Sequence, residues 1–333
     1  MKKFVLLLMA GWALFNSCST GEAVTSGMFS GSSSEALLFH NCKAVSEDEI
    51  EFEFSKPVKI ASLSFEPFLQ IASIEEGSTV IVKLDVIPEP GILFTADLLA
   101  EDNNKNSINV LVPFRSRNNR MPKLVINELR TENSKPKAEF IEFKMESTGN
   151  LGAMRVFIAA NYKNPMVYEF MPVEVQDGEY VVLHLRCTES GCVDEYGSDL
   201  AESGGTDSSA TARDFWVQGN TKFLHKTDAV YMLDQDDKVL DCVMITETPD
   251  PWWNKEYFAD AAQMLFEQGV WKATNGLICA PVDSVQSAGT TATRTICRDE
   301  NIVNSHTASD WYIAATSCAT PGKPNNPKRY VPK

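Results

Sequence analysis

The run Lys123–Phe143, KLVINELRTENSKPKAEFIEF, decides how the chain is read. Leu124–Leu129 has the composition of a strand, Thr131–Lys137 is a polar turn, and Phe140–Met145 is a second strand-like run. In that second run Ile141, Phe143 and Met145 share one face, and Glu142 and Lys144 share the other. Side chains alternate across a strand, so this spacing predicts a half-buried antiparallel hairpin. Hairpins of the same kind recur to the C-terminus, and the fold class they predict is all-β.

The hairpin also carries a family resemblance. Ile126-Asn127-Glu128 followed by Glu139-Phe140-Ile141-Glu142-Phe143 resembles the opening of a lamin-tail domain. Later segments are similar to the rest of that family, in its order. Gly178–Leu183 (GEYVVL) resembles its central strand after a glycine turn, and Asp228–Val243 its paired strands around an acidic turn. Arg294–Arg298 resembles its short Arg-bearing segment. Trp311 and Thr320–Asn325 (TPGKPN) are similar to its closing Trp and TPGxxN tail. The resemblance runs from Lys123 to Asn325. It implies an immunoglobulin-like β-sandwich over residues 123–328, with Trp311 in the core.

Upstream, residues 1–17 read as a secretory signal: Lys2 and Lys3, an apolar run Phe4–Phe15, then Asn-Ser before Cys18. The run is shorter than the roughly 20 apolar residues that span a bilayer. The small residue before Cys18, with Leu14 four positions ahead, resembles the lipobox of bacterial lipoproteins, from which Phe15 and Asn16 depart. Cys18 is therefore the expected lipid-attachment residue. The chain then meets the membrane through its N-terminal lipid, in the inner or outer membrane of the cell envelope. Residues 18–35, rich in Ser and Gly, predict a flexible tether with a reach of about 20–25 Å.

Residues 36–117 predict a first sandwich. Its strands are expected at Ala36–His40, Glu49–Ser55, Val58–Phe65, Thr79–Leu84, Ile92–Ala100 and Ile108–Phe114. Phe94–Phe114 resembles the final hairpin of bacterial immunoglobulin-like surface modules. The polar run Arg115–Pro122 holds the linker, residues 118–122. Two immunoglobulin-like β-sandwich domains are thus expected. The second is longer than a bare sandwich, and the surplus lies in two insertions. Residues 188–220 form a long acidic loop with Asp194, Glu195, Asp199, Glu202 and Asp207; loops of that length are usually functional or disordered. Residues 247–290 contain one helix, Asn254–Gln268, ended by Gly269, with Tyr257, Ala261, Met264 and Leu265 on its apolar face.

A net charge of −15 with no basic cluster argues against nucleic acid as a partner. Beyond Cys18 stand Cys42, Cys187, Cys192, Cys242, Cys279, Cys297 and Cys318. The odd count leaves one thiol over, and Cys42 is alone in its domain. The other six allow fifteen connectivities. Cys187 and Cys192, bracketing the start of the acidic loop, would make the most local disulfide. Without a CxxC or clustered histidines, no metal site and no cofactor are expected. Alternation with Val181, Leu183 and Leu185 turns His184 outward beside Arg186. No GxSxG, HExxH, Walker or GxGxxG pattern occurs. Asp234–Asp237 has oxygens enough for calcium, but such a run suits a hairpin turn better. Glu139 and Glu142 belong to the strand pattern and give no acid–base signal.

Trp216, Trp252 and Trp253 lie in or beside the insertions. Indoles at exposed loop positions anchor partners; the competing expectation is that they pin the insertions onto the sandwich. The sequence thus predicts a lipid-anchored envelope protein, not an enzyme, that binds, adheres or scaffolds. An unknown protein or glycan partner would meet a surface where the two insertions lie side by side. The alternative is an exported metal-assisted hydrolase with its site in the insertions.

Overall fold

The computed structural model describes residues 24–26, 36–159, 165–274, 276 and 279–332. The expected signal segment 1–17 and the expected lipid-attachment residue Cys18 lie outside the described residues. The chain divides after Asn119 into two compact units. Both are built from strands, and no helix among the described residues is long and apolar enough to cross a membrane.

The first unit holds β1 (Val24–Ser26), β2 (Phe39–Ala44), β3 (Glu49–Glu66), β4 (Ile71–Glu75), β5 (Gly77–Leu84), β6 (Leu93–Asp102) and β7 (Ser107–Arg115). They form one sheet in the order β1-β7-β6-β3-β5-β4, with β2 also on β3. Glu49–Glu53 of β3 pairs with Thr79–Lys83 of β5, whereas Val58–Glu66 pairs with Thr95–Asp102 of β6. Two strands were expected here, and one continuous strand is found. Its main partner changes around Pro57, which has no N–H to give a ladder. Phe52, Val80, Val82, Ala96, Leu98 and Val110 are fully buried in this unit's core. The expected tether is also corrected in part. Val24–Ser26 pairs with the open edge of β7, Val24 opposite Leu111, as a Val-Thr pair readily does.

The second unit begins with β8 (Leu124–Arg130), β9 (Phe140–Met145), β10 (Gly149–Asn150) and β11 (Arg155–Ile158). There follow β12 (Met166–Glu169), β13 (Glu174–Val175), β14 (Tyr180–Cys187), β15 (Arg213–Gln218), β16 (Asp228–Leu233) and β17 (Val239–Thr246). Helix α1 (Glu256–Glu267) precedes β18 (Val285–Gln286), β19 (Ile296–Arg298) and β20 (Trp311–Ile313). A six-stranded sheet runs β15-β14-β9-β8-β19-β20 and a five-stranded sheet β12-β11-β16-β17-β18; β10 and β13 pair apart. Ile126, Ile141, Phe143, Val181, Leu183 and Ile296 from the first sheet pack with Val156, Val230, Met232 and Val243 from the second.

The outer faces are covered too. In β14 both alternating sets are buried, Val181 and Leu183 inward, Tyr180, Val182 and His184 outward. A strand buried on both sides needs two covers. Residues 205–209 and the C-terminal tail lie over the outer face of the six-stranded sheet, and Asp194 and Glu195 lie along the free edge of β15. The second insertion covers the other sheet, α1 packing against β16 and β17 with Phe258, Ala261, Ala262 and Leu265 buried. The helix is shorter at both ends than expected, and Gly269 at φ 71° closes it. The insertions therefore sit on different sheets, which corrects the expectation of one shared surface. Part of the acidic loop is no loop: Arg213–Gln218 pairs in parallel with β14.

Candidate functional site

Register places Glu128 opposite Glu142 across β8 and β9, on the covered face. Both are buried, so the hairpin's polar face is not solvated as expected. Glu142 accepts the N–H of Gly322 (2.6 Å) and the side-chain amide of Asn127 (2.9 Å). Glu128 accepts the hydroxyl of Thr295 (2.5 Å) and the N–H of Thr320 (3.1 Å). Asn325 donates to the carbonyls of Asn127 (3.0 Å) and Arg298 (2.9 Å). Two carboxyls thus fasten the tail across the sheet.

Burial, and then the charge of Glu128, pushes the pKa of Glu142 well above the ordinary carboxylate range. Burial raises Glu128 as well, against the pull of Thr295 and Thr320. The pair therefore keeps a proton that solvated carboxyls release. The folded chain holds this proton where the unfolded chain has lost it. Its contribution to stability is full below the ordinary Glu value near 4.5 and fades as pH rises through the raised value. Glu142→Gln, neutral at every pH and still an acceptor for Gly322, is expected to flatten that decline. Melting temperatures of both proteins between about pH 5 and pH 8 check it; parallel curves count against the retained proton.

Further along this face His184 is fully buried rather than exposed. The alternation does turn it outward, but the first insertion lies on top. The Trp216 indole stacks on its ring at 3.8 Å and 9°. His184 Nε2–H donates to Asp214 (2.9 Å), and Trp216 Nε1–H donates to Ser203 (2.9 Å). His184 Nδ1 faces Asp207 at 3.9 Å, beyond hydrogen-bond reach. A Cβ on Gly205 would stand 2.6 Å from the indole, so only glycine lets the loop approach that closely. Trp216 is buried, which removes it from the expected partner surface and fits the competing expectation that it pins the loop down. The His–Asp pair is sealed beneath it and holds the insertion in place.

Asp194, Glu195 and Asp207 turn inward, and Asp199 and Glu202 stay exposed. Asp194 accepts the N–H of Trp216, Glu195 those of Ser203 and Asp214, and Asp207 that of Ala138 while pairing with Arg130 (2.5 Å). β15 ends its sheet, and the loop's carboxylates answer the N–H groups that its free edge leaves at Asp214 and Trp216. Cys187 and Cys192 are disulfide-bonded at its root. A cleft of about 30 Å³ beside Trp216, lined by Lys135, Pro136, Ala138, Arg186 and Thr188, has room for a water or two. Small-molecule sites are roughly 300–1,000 Å³. Asp234 accepts the N–H groups of Asp236 and Lys238 in the hairpin turn, and Asp237 pairs with Arg155. Among the described residues no cluster of His, Cys, Asp and Glu is arranged to hold a metal.

Between the sheets, Arg298 pairs with Asp241 (2.6 Å) and donates to the carbonyl of Ile126 (2.7 Å). The same Asp241 oxygen accepts the Ile126 N–H (2.7 Å), and the guanidinium lies over Trp311 at 4.4 Å. Asp241 escaped the sequence reading, although alternation with Val239 and Val243 marks it as an inward acid.

The remaining indoles divide. Trp253 is half-buried, donates Nε1–H to the Cys279 carbonyl (2.9 Å) and meets Phe258. Trp252, its neighbour, is 77% exposed. Of the three tryptophans expected at a partner surface, this one alone is available to it.

Residues 122–313 match the family model TP_1001_2nd, described as "protein second domain". The matched span runs from just before β8 to the end of β20 and so takes in every sheet of the second unit. A Treponema pallidum (strain Nichols) protein with the printed name "Uncharacterized protein" is 27% identical over 184 residues, 53% of this chain and 47% of that one. The chain spans about half the length of this curated relative. With more than half of its residues under the family model, the chain belongs to the TP_1001_2nd family.

Proposed function

We propose that the protein is a lipid-anchored envelope protein whose second unit is a lamin-tail-like, immunoglobulin-like sandwich that binds a protein or glycan partner without catalysis. The first unit is read as a second immunoglobulin-like module, and Cys18 as the lipidated residue. One observation carries the binding role: Trp252 stands 77% exposed beside a tryptophan held by a hydrogen bond and a ring contact. A large rigid side chain braced in this way loses little entropy when a partner covers it. The sealed layer around Glu128, Glu142 and His184 supports a scaffold role for the motif residues. The meeting of Ile126–Glu128, Glu139–Phe143 and the Thr320–Asn325 tail in one layer supports the lamin-tail likeness.

The test uses immobilised wild-type chain and an envelope extract to capture and identify the partner. Trp252→Ala is expected to weaken that partner's binding about 30-fold or more with an unchanged melting temperature. Trp253→Ala is expected to melt earlier. Undiminished binding by Trp252→Ala overturns the reading.

A further inference from the structure

Besides the Cys187–Cys192 bond, the second unit holds four separate thiols: Cys242, Cys279, Cys297 and Cys318. Four cysteines admit three pairings, and the strand faces choose among them. On β17 Asp241 points inward to Arg298, so Cys242 points outward, its Sγ 3.3 Å from the Val270 carbonyl just past α1. Cys279 lies in that same insertion, buried in the same core, with Trp253 bonded to its carbonyl. Burial raises the pKa of Cys242, and Asp241 and Cys279 are near enough to raise it further. On β19 Ile296 and Arg298 point inward, so Cys297 points outward on the other sheet. There it clusters with Tyr312 and Ala314, and Cys318 packs against this group. Packed sheets stand about 10 Å apart, so the thickness of the unit separates Cys242 from Cys297.

We propose that the second unit is closed by two further disulfides, Cys242–Cys279 and Cys297–Cys318. Each bond takes two protons and two electrons from a thiol pair. The electrons reduce the disulfide of a thiol oxidant, such as glutathione disulfide, whose sulfurs leave as thiols carrying the protons. Burial lifts Cys279 to about 12, and Cys242 and Cys297 are raised for the same reason. Thiolates are scarce once the chain has folded, so the bonds form during folding. Cys242–Cys279 ties the segment bearing Trp252 and Trp253 to β17. Cys297–Cys318 ties β19 to the turn that leads into the tail. Cys42, alone among the described cysteines of the first unit, stays a thiol. In the cell the proposal rests on the exported setting, because the cytosol keeps such pairs reduced.

The test is oxidative refolding of the reduced, unfolded full-length chain with reduced and oxidised glutathione. N-ethylmaleimide added with denaturant then traps free thiols, buried ones included, and the protein is cleaved without reduction for mass spectrometry. Expected are peptides joined as Cys242–Cys279 and Cys297–Cys318, each pair two hydrogens lighter than its free halves, with Cys42 alkylated. Cys279→Ser is expected to leave Cys242 alkylated while Cys297–Cys318 still forms. Alkylation of all four thiols in the wild type, or a bond from Cys242 to Cys297 or Cys318, overturns the pairing. The same map of chain taken from cells separates this proposal from the location. Bonds formed on refolding but absent in cells keep the pairing and remove the exported setting.

Discussion

Asp241→Ala is expected to destabilise the second unit by about 3–5 kcal/mol. Asp241 is buried and answers two groups at once, the Arg298 guanidinium at 2.6 Å and the Ile126 N–H at 2.7 Å. Burial raises its pKa against the pull of Arg298, so the pair is held by geometry in a place where charge is expensive. Removing one partner leaves a guanidinium between two sheets with no anion to face. The comparison that isolates this effect is Asp241→Leu with Arg298→Met. Replacing both charges by apolar groups of similar volume is often neutral or stabilising, so the double variant is expected to recover most of the loss. Tryptophan fluorescence reads the second unit selectively. Apart from Trp12, every tryptophan of the chain lies beyond Asn119. A loss under about 1 kcal/mol, the range of exposed pairs, would mean that water reaches the site.

How much of this was legible depended on distance along the chain. The inward set of the hairpin, Ile141 and Phe143, could be read because a strand's own alternation encodes it. The outward set could not. Glu142 and His184 look like solvated strand residues within their own segments. Their covers come from residues 205–209 and from the tail beyond Cys318, and nothing local announces that a loop will fold back. Composition misled in the same way. Asp194, Glu195 and Asp207 suggest an acidic exterior, yet Asp194 and Glu195 answer N–H groups on the free edge of β15, and Asp207 answers Ala138 and Arg130. The TPG tail was noticed through its family likeness alone, and its physical role appears when Glu128 and Glu142 are seen to grip it. For Trp252 and Trp253 the sequence offered two opposite outcomes; Trp253 is braced against the insertion, and Trp252 stands exposed. Pro57 shows the reverse case, a visible signal given too much weight: it moves the ladder to a new partner without ending the strand.

Gly322→Ala should be far more damaging than Gly178→Ala, although both glycines have nearly the same backbone conformation, φ 77° and 78°. An alanine in that left-handed region costs about 1–2 kcal/mol by itself, and at Gly178 nothing lies within 4 Å of the added carbon. At Gly322 the carbon would stand 2.7 Å from the hydroxyls of Ser209 and Thr211 and 2.9 Å from the Ala212 nitrogen. The backbone nitrogen cannot yield as a side chain would, so the tail must lift. Lifting it takes the Gly322 N–H away from Glu142 and the Pro321 carbonyl away from Ser209. An unsatisfied buried acceptor adds about 1–3 kcal/mol, for a total of about 3 kcal/mol or more. Paired denaturation curves supply the difference between the two variants, in which the conformational strain cancels. Equal losses would show that the tail moves aside freely and is no clamp. A larger loss at Gly322 should bring a second change with it. Once water reaches Glu142 its carboxyl releases its proton in the ordinary range, and the decline of stability with rising pH should weaken.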